Sequence, residues 1–189
     1  MVDGDVLYWP AFLPPDEADE LLVQLKGEIA WEQQELTIFG RRVKAPRLSA
    51  WYGDEGASYA YSGLQLTPLG WTPGLQRVKT RLQEALQCAF NSVLANLYRD
   101  GSDSMGWHSD DEPELGAEPL IASVSLGAGR RFILKHKKRA DLKAAELVPQ
   151  HGSLIVMQGC TQTHWRHGIP KTRATVGERL NLTFRQIAL

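Results

Sequence analysis

Two short segments carry residue types that can do chemistry together. GWHSDDE places His108 and Asp110 two residues apart, and THWRHG later supplies His164 and His167. In an extended segment side chains alternate, so a His-x-Asp pair aims both groups to one side. A histidine from another strand would complete two imidazoles and one carboxylate on one face of a metal. That set leaves three coordination positions open and is typical of oxygen-activating non-haem iron centres. Both His164 and His167 are available for the third place. A His-x-Asp pair alone is common by chance, so its weight depends on what accompanies it.

The segment RLNLTFR is the second informative one. At a side-chain period of two, Arg179, Asn181, Thr183 and Arg185 share one face, and Leu180, Leu182 and Phe184 the other. An arbitrary strand of this kind turns its polar face to water. Here SVLANLY repeats the mixture, with Leu94, Asn96 and Tyr98 on one face. Two such strands can line the interior of a barrel and bind a small dianion. Arginine suits that task because its planar fork pairs bidentately with a carboxylate.

The elements that must position these groups are legible in outline. The chain has 189 residues, 43% apolar and 23% charged, enough for one domain with its own core and no staples. Cys88 and Cys160 lack CxxC spacing, which fits a reducing compartment. No apolar run approaches the roughly 18–20 residues of a membrane span, and the opening MVDGDVLYWP is acidic; neither a membrane protein nor a secreted precursor is expected. Pro15 and the acids Asp16, Glu17, Asp19 and Glu20 suit a helix start, followed by a stripe of Leu21, Leu22, Leu25 and Ile29. A second helix is expected from Thr72 as N-cap and Pro73, with Leu75, Val78, Leu82 and Leu86 on one face. Between the helices lie TIFGRRV, LSAWYG and SYAYSG, and beyond Ser92 come SVLANLY, LIASVSLG, RRFILKH, GSLIVMQ and RLNLTFRQI. These read as strands of an antiparallel sandwich or barrel. The expected class is α+β, mainly β: a double-stranded β-helix (jelly roll) with two packed N-terminal helices.

The runs NLYRDGSDSMGWHSDDE, IASVSLGAGRRFILKHK, HGSLIVMQGCTQTHWRHGIPK and ERLNLTFR resemble the AlkB family of Fe(II)- and 2-oxoglutarate-dependent nucleic-acid demethylases, most of all the branch of AlkB homologues two and three. The resemblance covers about residues 37–187. It implies iron ligation by His108, Asp110 and His167, because the family's ligand precedes a small residue and Ile-Pro. His164, like His136 and His151, is then a structural histidine. It implies that Arg179 pairs with the distal carboxylate of 2-oxoglutarate, that Asn96 and Tyr98 assist, and that Asn181, Thr183 and Arg185 surround the cosubstrate. Fe(II), 2-oxoglutarate and O2 are the implied cofactors. The implied organisation is one dioxygenase domain over 1–189, with a helical layer and nucleotide-recognition hairpins in 1–90 and the catalytic jelly roll in 91–189.

The implied activity is repair of alkylated DNA, single- or double-stranded, by oxidation of the methyl group of 1-methyladenine or 3-methylcytosine. Such a methyl is hidden in a duplex, so the base must be flipped out or already unpaired. Tyr59 and Tyr61 match the family's base-contacting aromatic positions, and Asp111 and Glu112 could contact a cationic base, with solvated loop acids as the competing reading, as strong for Glu112. Ile38, Phe39 and Gly40 resemble the tip of a duplex-probing hairpin, with Phe39 as a wedge; an ordinary core aromatic is the competing reading. Arg41, Arg42, Lys44 and Arg47, and the cluster Arg130, Arg131, Lys135, Lys137, Lys138 and Arg139, fit phosphate contacts or plain surface charge. RNA, a non-nucleic-acid substrate, and a lesion-binding module without turnover are the alternatives. A monomer without membrane association is expected inside the cell, cytoplasmic in a bacterium and nuclear in a eukaryote.

The net charge of −1 argues against a nucleic-acid partner only until its distribution is read. Residues 1–36 hold nine acids and one base, which leaves 13 acids and 20 bases, about +7, in residues 37–189. The acidic N-terminal helix should therefore face away from DNA.

Overall fold

The computed structural model describes residues 1–38, 40–57, 59–61 and 64–188, excluding the side chains of 36, 38, 59–61 and 64–66. In chain order the first half contains β1 (Asp5–Trp9), α1 (Pro15–Glu28), β2 (Glu35–Ile38), β3 (Arg41–Lys44), β4 (Leu48–Gly53), β5 (Tyr59–Tyr61), β6 (Leu64–Leu66) and α2 (Pro73–Leu86). The second half contains β7 (Ser92–Tyr98), β8 (Met105–His108), β9 (Ile121–Gly127), β10 (Phe132–His136), β11 (Ala145–Leu147), β12 (Ser153–Gln158), α3 (Thr161–His164), β13 (Trp165–Ile169) and β14 (Arg179–Arg185).

Two antiparallel sheets form the jelly roll. The larger has the order β1-β12-β9-β14-β7-β4, and the smaller β11-β10-β13-β8. Strand alternation divides the larger sheet's side chains cleanly. Leu180, Leu182 and Phe184 of β14, Val93, Ala95 and Leu97 of β7, and Ala122, Val124 and Leu126 of β9 are buried in one apolar cluster with Leu21 and Leu25 of α1 and Leu75, Val78 and Leu82 of α2. The opposite face carries the polar set. Asn181 is flanked in register by Asn96 and Ser125, and Thr183 by Ser123. The polar face therefore points into the molecule, toward the smaller sheet, and the apolar face outward under the helices.

Both helices start as their sequences dictate. Thr72 accepts a hydrogen bond at Oγ1 from the Leu75 N–H (3.3 Å), satisfying one orphan donor of the first turn of α2. The acids of α1 are drawn to neighbouring bases: Glu17 pairs with Arg77 (3.1 Å) and Arg81 (2.8 Å), and Asp19 with His151 (3.2 Å). This acidic surface lies on the helix side of the larger sheet, away from the polar interior.

Five strands are not among those expected from the sequence: β1, β6, β8, β11 and β13. In β1, Val6 and Tyr8 pack inward while Leu7 and Trp9 are exposed, so both faces are apolar and no period of two shows. β1 and β4, from the N-terminal half, are strands of the larger sheet. The remaining strands form two hairpins, β2–β3 and β5–β6. A bridge from Glu32 to Ser49 ties the base of the first hairpin to β4. Its turn uses Gly40 at φ 73°, a conformation glycine adopts without strain.

Candidate active site

Between the sheets lies a cavity of about 320 Å³. Its lining includes Ser49 and Trp51 of β4, Asn96 and Tyr98 of β7, Asn181, Thr183 and Arg185 of β14, and His108, Asp110, Glu112 and His167. β4 and β8 are terminal strands of their sheets, and the exposed Gly106 and Trp107 of β8 mark the cavity's rim.

β8 and β13 pair so that His108 and His167 are register partners. Their ring centres are 4.3 Å apart. Asp110, just beyond β8, brings Oδ2 to 3.8 Å from His167 Nε2. One ligand atom from each of the three lies within 4.8 Å of the others. His108 donates from Nδ1 to the Gly106 carbonyl at 2.9 Å, which leaves the Nε2 lone pair free. Burial pushes the His167 imidazole down to about 3, so it is neutral at pH 7 with a lone pair to offer. Burial opposes ionisation of Asp110, but Arg185 and the two histidines outweigh it and hold the carboxyl at about 2.

Asp110 Oδ1 accepts from Arg185 Nη2 at 2.6 Å, while Oδ2 is buried and has no hydrogen-bond partner among the described residues. A buried carboxylate oxygen left uncompensated is costly, and a divalent metal between it and two imidazoles satisfies all three donors. The residues therefore fit iron. They also fit an organic dianion. Arg179 is 1% exposed; its Nη2 donates to Ser125 Oγ at 2.8 Å, but Nε and Nη1 are buried without hydrogen-bond partners among the described residues. Its guanidinium lies 5.4 Å from the centre of the Tyr98 ring, and burial lowers its pKa. A buried cation with no carboxylate beside it, among the described residues, asks for an anionic ligand.

His164 lies elsewhere, grouped with His136 and Asp3. This second cluster is poorly suited to metal. His136 Nδ1 accepts the backbone N–H groups of Lys138 (3.2 Å) and Arg139 (2.9 Å), so the ring proton sits on Nε2, facing Asp3 Oδ2 at 3.3 Å.

The residues expected to meet the substrate divide. Glu112 lines the cavity, and its Oε2 is buried without a hydrogen-bond partner among the described residues. Asp111 turns outward and pairs with Lys137 at 2.8 Å. Arg41 and Arg42 are exposed on β3, Arg42 facing Glu35 at 3.9 Å. Phe39 and the side chains of Tyr59 and Tyr61 lie outside the described residues. Two arginines expected at phosphates are buried instead. Arg47 donates from Nε to Asn96 Oδ1 at 2.8 Å and lines the cavity. Arg130 is 3% exposed and clamps the carbonyls of Asp100, Asp103 and Pro170 at 2.8–2.9 Å, tying loops together.

Residues not singled out by sequence include Trp51 in the lining and Gln162 of α3. Gln162 is 1% exposed and accepts the Asp110 N–H at Oε1 (3.0 Å), fixing the backbone of the carboxylate residue.

Residues 5–185 match the 2OG-Fe(II) oxygenase superfamily. The chain belongs to that superfamily. It is 43% identical over 180 residues to DNA oxidative demethylase ALKBH2 of Mus musculus, covering 90% of this chain and 75% of that one. It is 40% identical over 190 residues to alpha-ketoglutarate-dependent dioxygenase alkB homolog 3 of Homo sapiens, covering 96% and 66%. The chain thus spans about two thirds to three quarters of the length of these relatives. The fold is shared with the solved structure of OsALKBH1, at a TM-score of 0.65 and 20% identity over 96% of this chain and 97% of that one. As a member of this superfamily the protein is an Fe(II)- and 2-oxoglutarate-dependent dioxygenase, with iron as its metal and 2-oxoglutarate and O2 as its cosubstrates.

Proposed function

We propose that the chain is one catalytic unit that removes N-methyl groups from alkylated DNA bases by oxidation, in direct repair of alkylation damage. The observation that carries it is 43% identity, over 90% of the chain, to a relative named as a DNA oxidative demethylase. The cavity's donor set suits that chemistry. His108, Asp110 and His167 hold iron. Arg179 takes the distal carboxylate of 2-oxoglutarate, with Asn96, Tyr98, Asn181, Thr183 and Arg185 around the cosubstrate.

With these bound, O2 oxidises 2-oxoglutarate to succinate and CO2 and the N–CH3 group of the cationic base to N–CH2OH, which then releases formaldehyde and a proton and leaves the ring nitrogen with its lone pair. The protein's own part is placement and exclusion of water. Arg185 keeps Asp110 ionised and fixed. Neutral His167 and the free Nε2 of His108 present lone pairs. Glu112 offers a carboxylate to the positive charge of 1-methyladenine or 3-methylcytosine. Tyr59 and Tyr61 stack on the flipped base, while Phe39, Arg41 and Arg42 engage the strand around it. The enzyme acts as a monomer inside the cell. Among the described residues no helix is long and apolar enough to cross a membrane.

The test is a panel of methylated DNA and RNA oligonucleotides, single- and double-stranded, with Fe(II), ascorbate and 2-oxoglutarate. Formaldehyde and succinate should appear together on DNA carrying 1-methyladenine or 3-methylcytosine. Neither product from folded, iron-loaded protein rejects the reading; turnover only on RNA moves the substrate class.

A further inference from the structure

The outer face of the smaller sheet carries a group of side chains that meets the cavity only at Trp107, on its rim. β10, β13 and β8 lie side by side there. Alternation sends His108 and His167 into the cavity and Arg166 the other way, while Trp107 stands at the rim between the two faces. Trp107 is 44% exposed. Lys135 Nζ lies 4.8 Å from the centre of its indole, and Arg166 Cζ lies 5.6 Å away.

Lys135 and Arg166 are register partners across β10 and β13. Like charges directly opposite each other disfavour strand pairing. Neighbouring cations are neutralised: Arg131 holds Glu146, Lys137 holds Asp111 and Arg139 holds Asp141. Lys135 and Arg166 have no carboxylate partner among the described residues. The register also slips between His167 and Ile169, so that Gly168 faces both Gly106 and Trp107. A bulge of this kind re-aims the side chain it carries, and here that side chain is the exposed indole.

We infer that Trp107, Lys135 and Arg166 form a stacking platform for an unpaired nucleotide flanking the one in the cavity. The indole takes the base and the two cations take its phosphates. Every base presents a π-face, so such a platform accepts any sequence, and a polyanion relieves the like-charge pair. β8 is both the edge bearing the cavity's rim and the strand bearing Trp107, so a strand with one base past His108 continues over this face. The inference rests on the reading of the chain as acting on nucleic acid.

The experiment is fluorescence anisotropy with a short, unmethylated, single-stranded oligodeoxythymidylate and the protein without cosubstrate. Trp107→Ala should weaken binding about tenfold, within the range of base–aromatic stacking, and Trp107→Phe should restore it to within about threefold. Lys135→Ala combined with Arg166→Ala should reduce the slope of log affinity against log salt by about 1.4, for two phosphates on a single strand. These exposed charge changes keep the test open if Trp107→Ala fails to fold. Because binding needs neither a methyl group nor turnover, the platform is read independently of demethylation. Absence of binding by the unaltered protein overturns the inference. So does unchanged affinity and salt slope in the variants, or equal loss in Trp107→Phe and Trp107→Ala.

Discussion

Arg185, the last residue of β14, donates from Nη2 to Oδ1 of Asp110 at 2.6 Å, with the two side chains 14% and 4% exposed. One oxygen of the carboxylate is thereby fixed by the larger sheet, and the other is left for the two histidines of the smaller sheet. The guanidinium also supplies much of the charge that keeps a buried carboxyl ionised.

From this pair, Arg185→Gln should weaken Co(II) or Fe(II) binding about 10–100-fold, the range for losing a hydrogen-bond partner of a metal ligand. Arg185→Lys should lie between, since it keeps the charge but not the fork. Titration of the apo-protein with Co(II), followed by absorbance, reads this directly. Wild-type affinity in Arg185→Gln would mean that Asp110 needs no such support.

Arg179 leads to a kinetic prediction. Its buried Nε and Nη1 lack hydrogen-bond partners among the described residues, and the proposed ligand is the distal carboxylate of 2-oxoglutarate. Arg179→Gln should raise the KM for 2-oxoglutarate by about tenfold or more, as expected for lost charge-assisted hydrogen bonds. The KM for the oligonucleotide should change far less. Succinate formation against 2-oxoglutarate concentration separates the two; an equal rise in both constants argues for general disruption of the cavity.

How far these arrangements can be read from sequence depends on whether their cause is local. The alternation in RLNLTFR is local, and it puts Arg179, Asn181, Thr183 and Arg185 on one face whatever the rest of the chain does. The start of α2 is local too, because Thr72 caps a donor three residues away. Arg47 and Arg130 show the limit. Each follows or precedes charged and small residues that read as surface, yet each is buried by partners far away in sequence: Asn96 for Arg47, and the carbonyls of Asp100, Asp103 and Pro170 for Arg130. Gln162 is the same case, since its contact with Asp110 spans 52 residues. β13 is hidden for another reason. WRHGI mixes a cation, a ligand-type histidine and a glycine, so hydropathy carries no period, and its place is set by pairing with β8 and β10.

Asp111 and Glu112 are adjacent, yet they should respond differently to substitution. Glu112 lines the cavity with a buried oxygen that has no hydrogen-bond partner among the described residues, whereas Asp111 pairs with Lys137 on the outside. Glu112→Gln should lower kcat/KM on DNA containing 3-methylcytosine by about tenfold, because a neutral amide no longer offsets the base's charge. Asp111→Asn should remain within about threefold of wild type, since an exposed ion pair contributes little. Formaldehyde release from both variants checks this, and the opposite ranking would hand the base-reading role to Asp111.

The loop that delivers β8 supplies a prediction about stability and pH. Asp103, 2% exposed, accepts from the N–H (2.9 Å), Nε (2.8 Å) and Nη2 (2.9 Å) of Arg99, and these hydrogen bonds lower its carboxyl pKa. A carboxyl depressed in the folded state contributes stability that is present above its unfolded value and is lost as pH falls through the folded one. Asp103→Asn should therefore be less stable than wild type by about 1–3 kcal/mol at neutral pH. The difference should stay flat down to about pH 5 and shrink below about pH 4, where the unfolded carboxyl becomes protonated. Urea denaturation across that range measures it; a gap that persists undiminished at the lowest pH would assign the stabilisation to shape rather than charge. The consequence reaches the cavity. The Asp103 carbonyl accepts from Arg130, and the Ser104 N–H donates to the Pro46 carbonyl, so this loop fixes where β8 begins and with it the position of His108. Metal affinity in Asp103→Asn should accordingly fall with stability, whereas an exposed change such as Lys138→Ala should leave both unaltered.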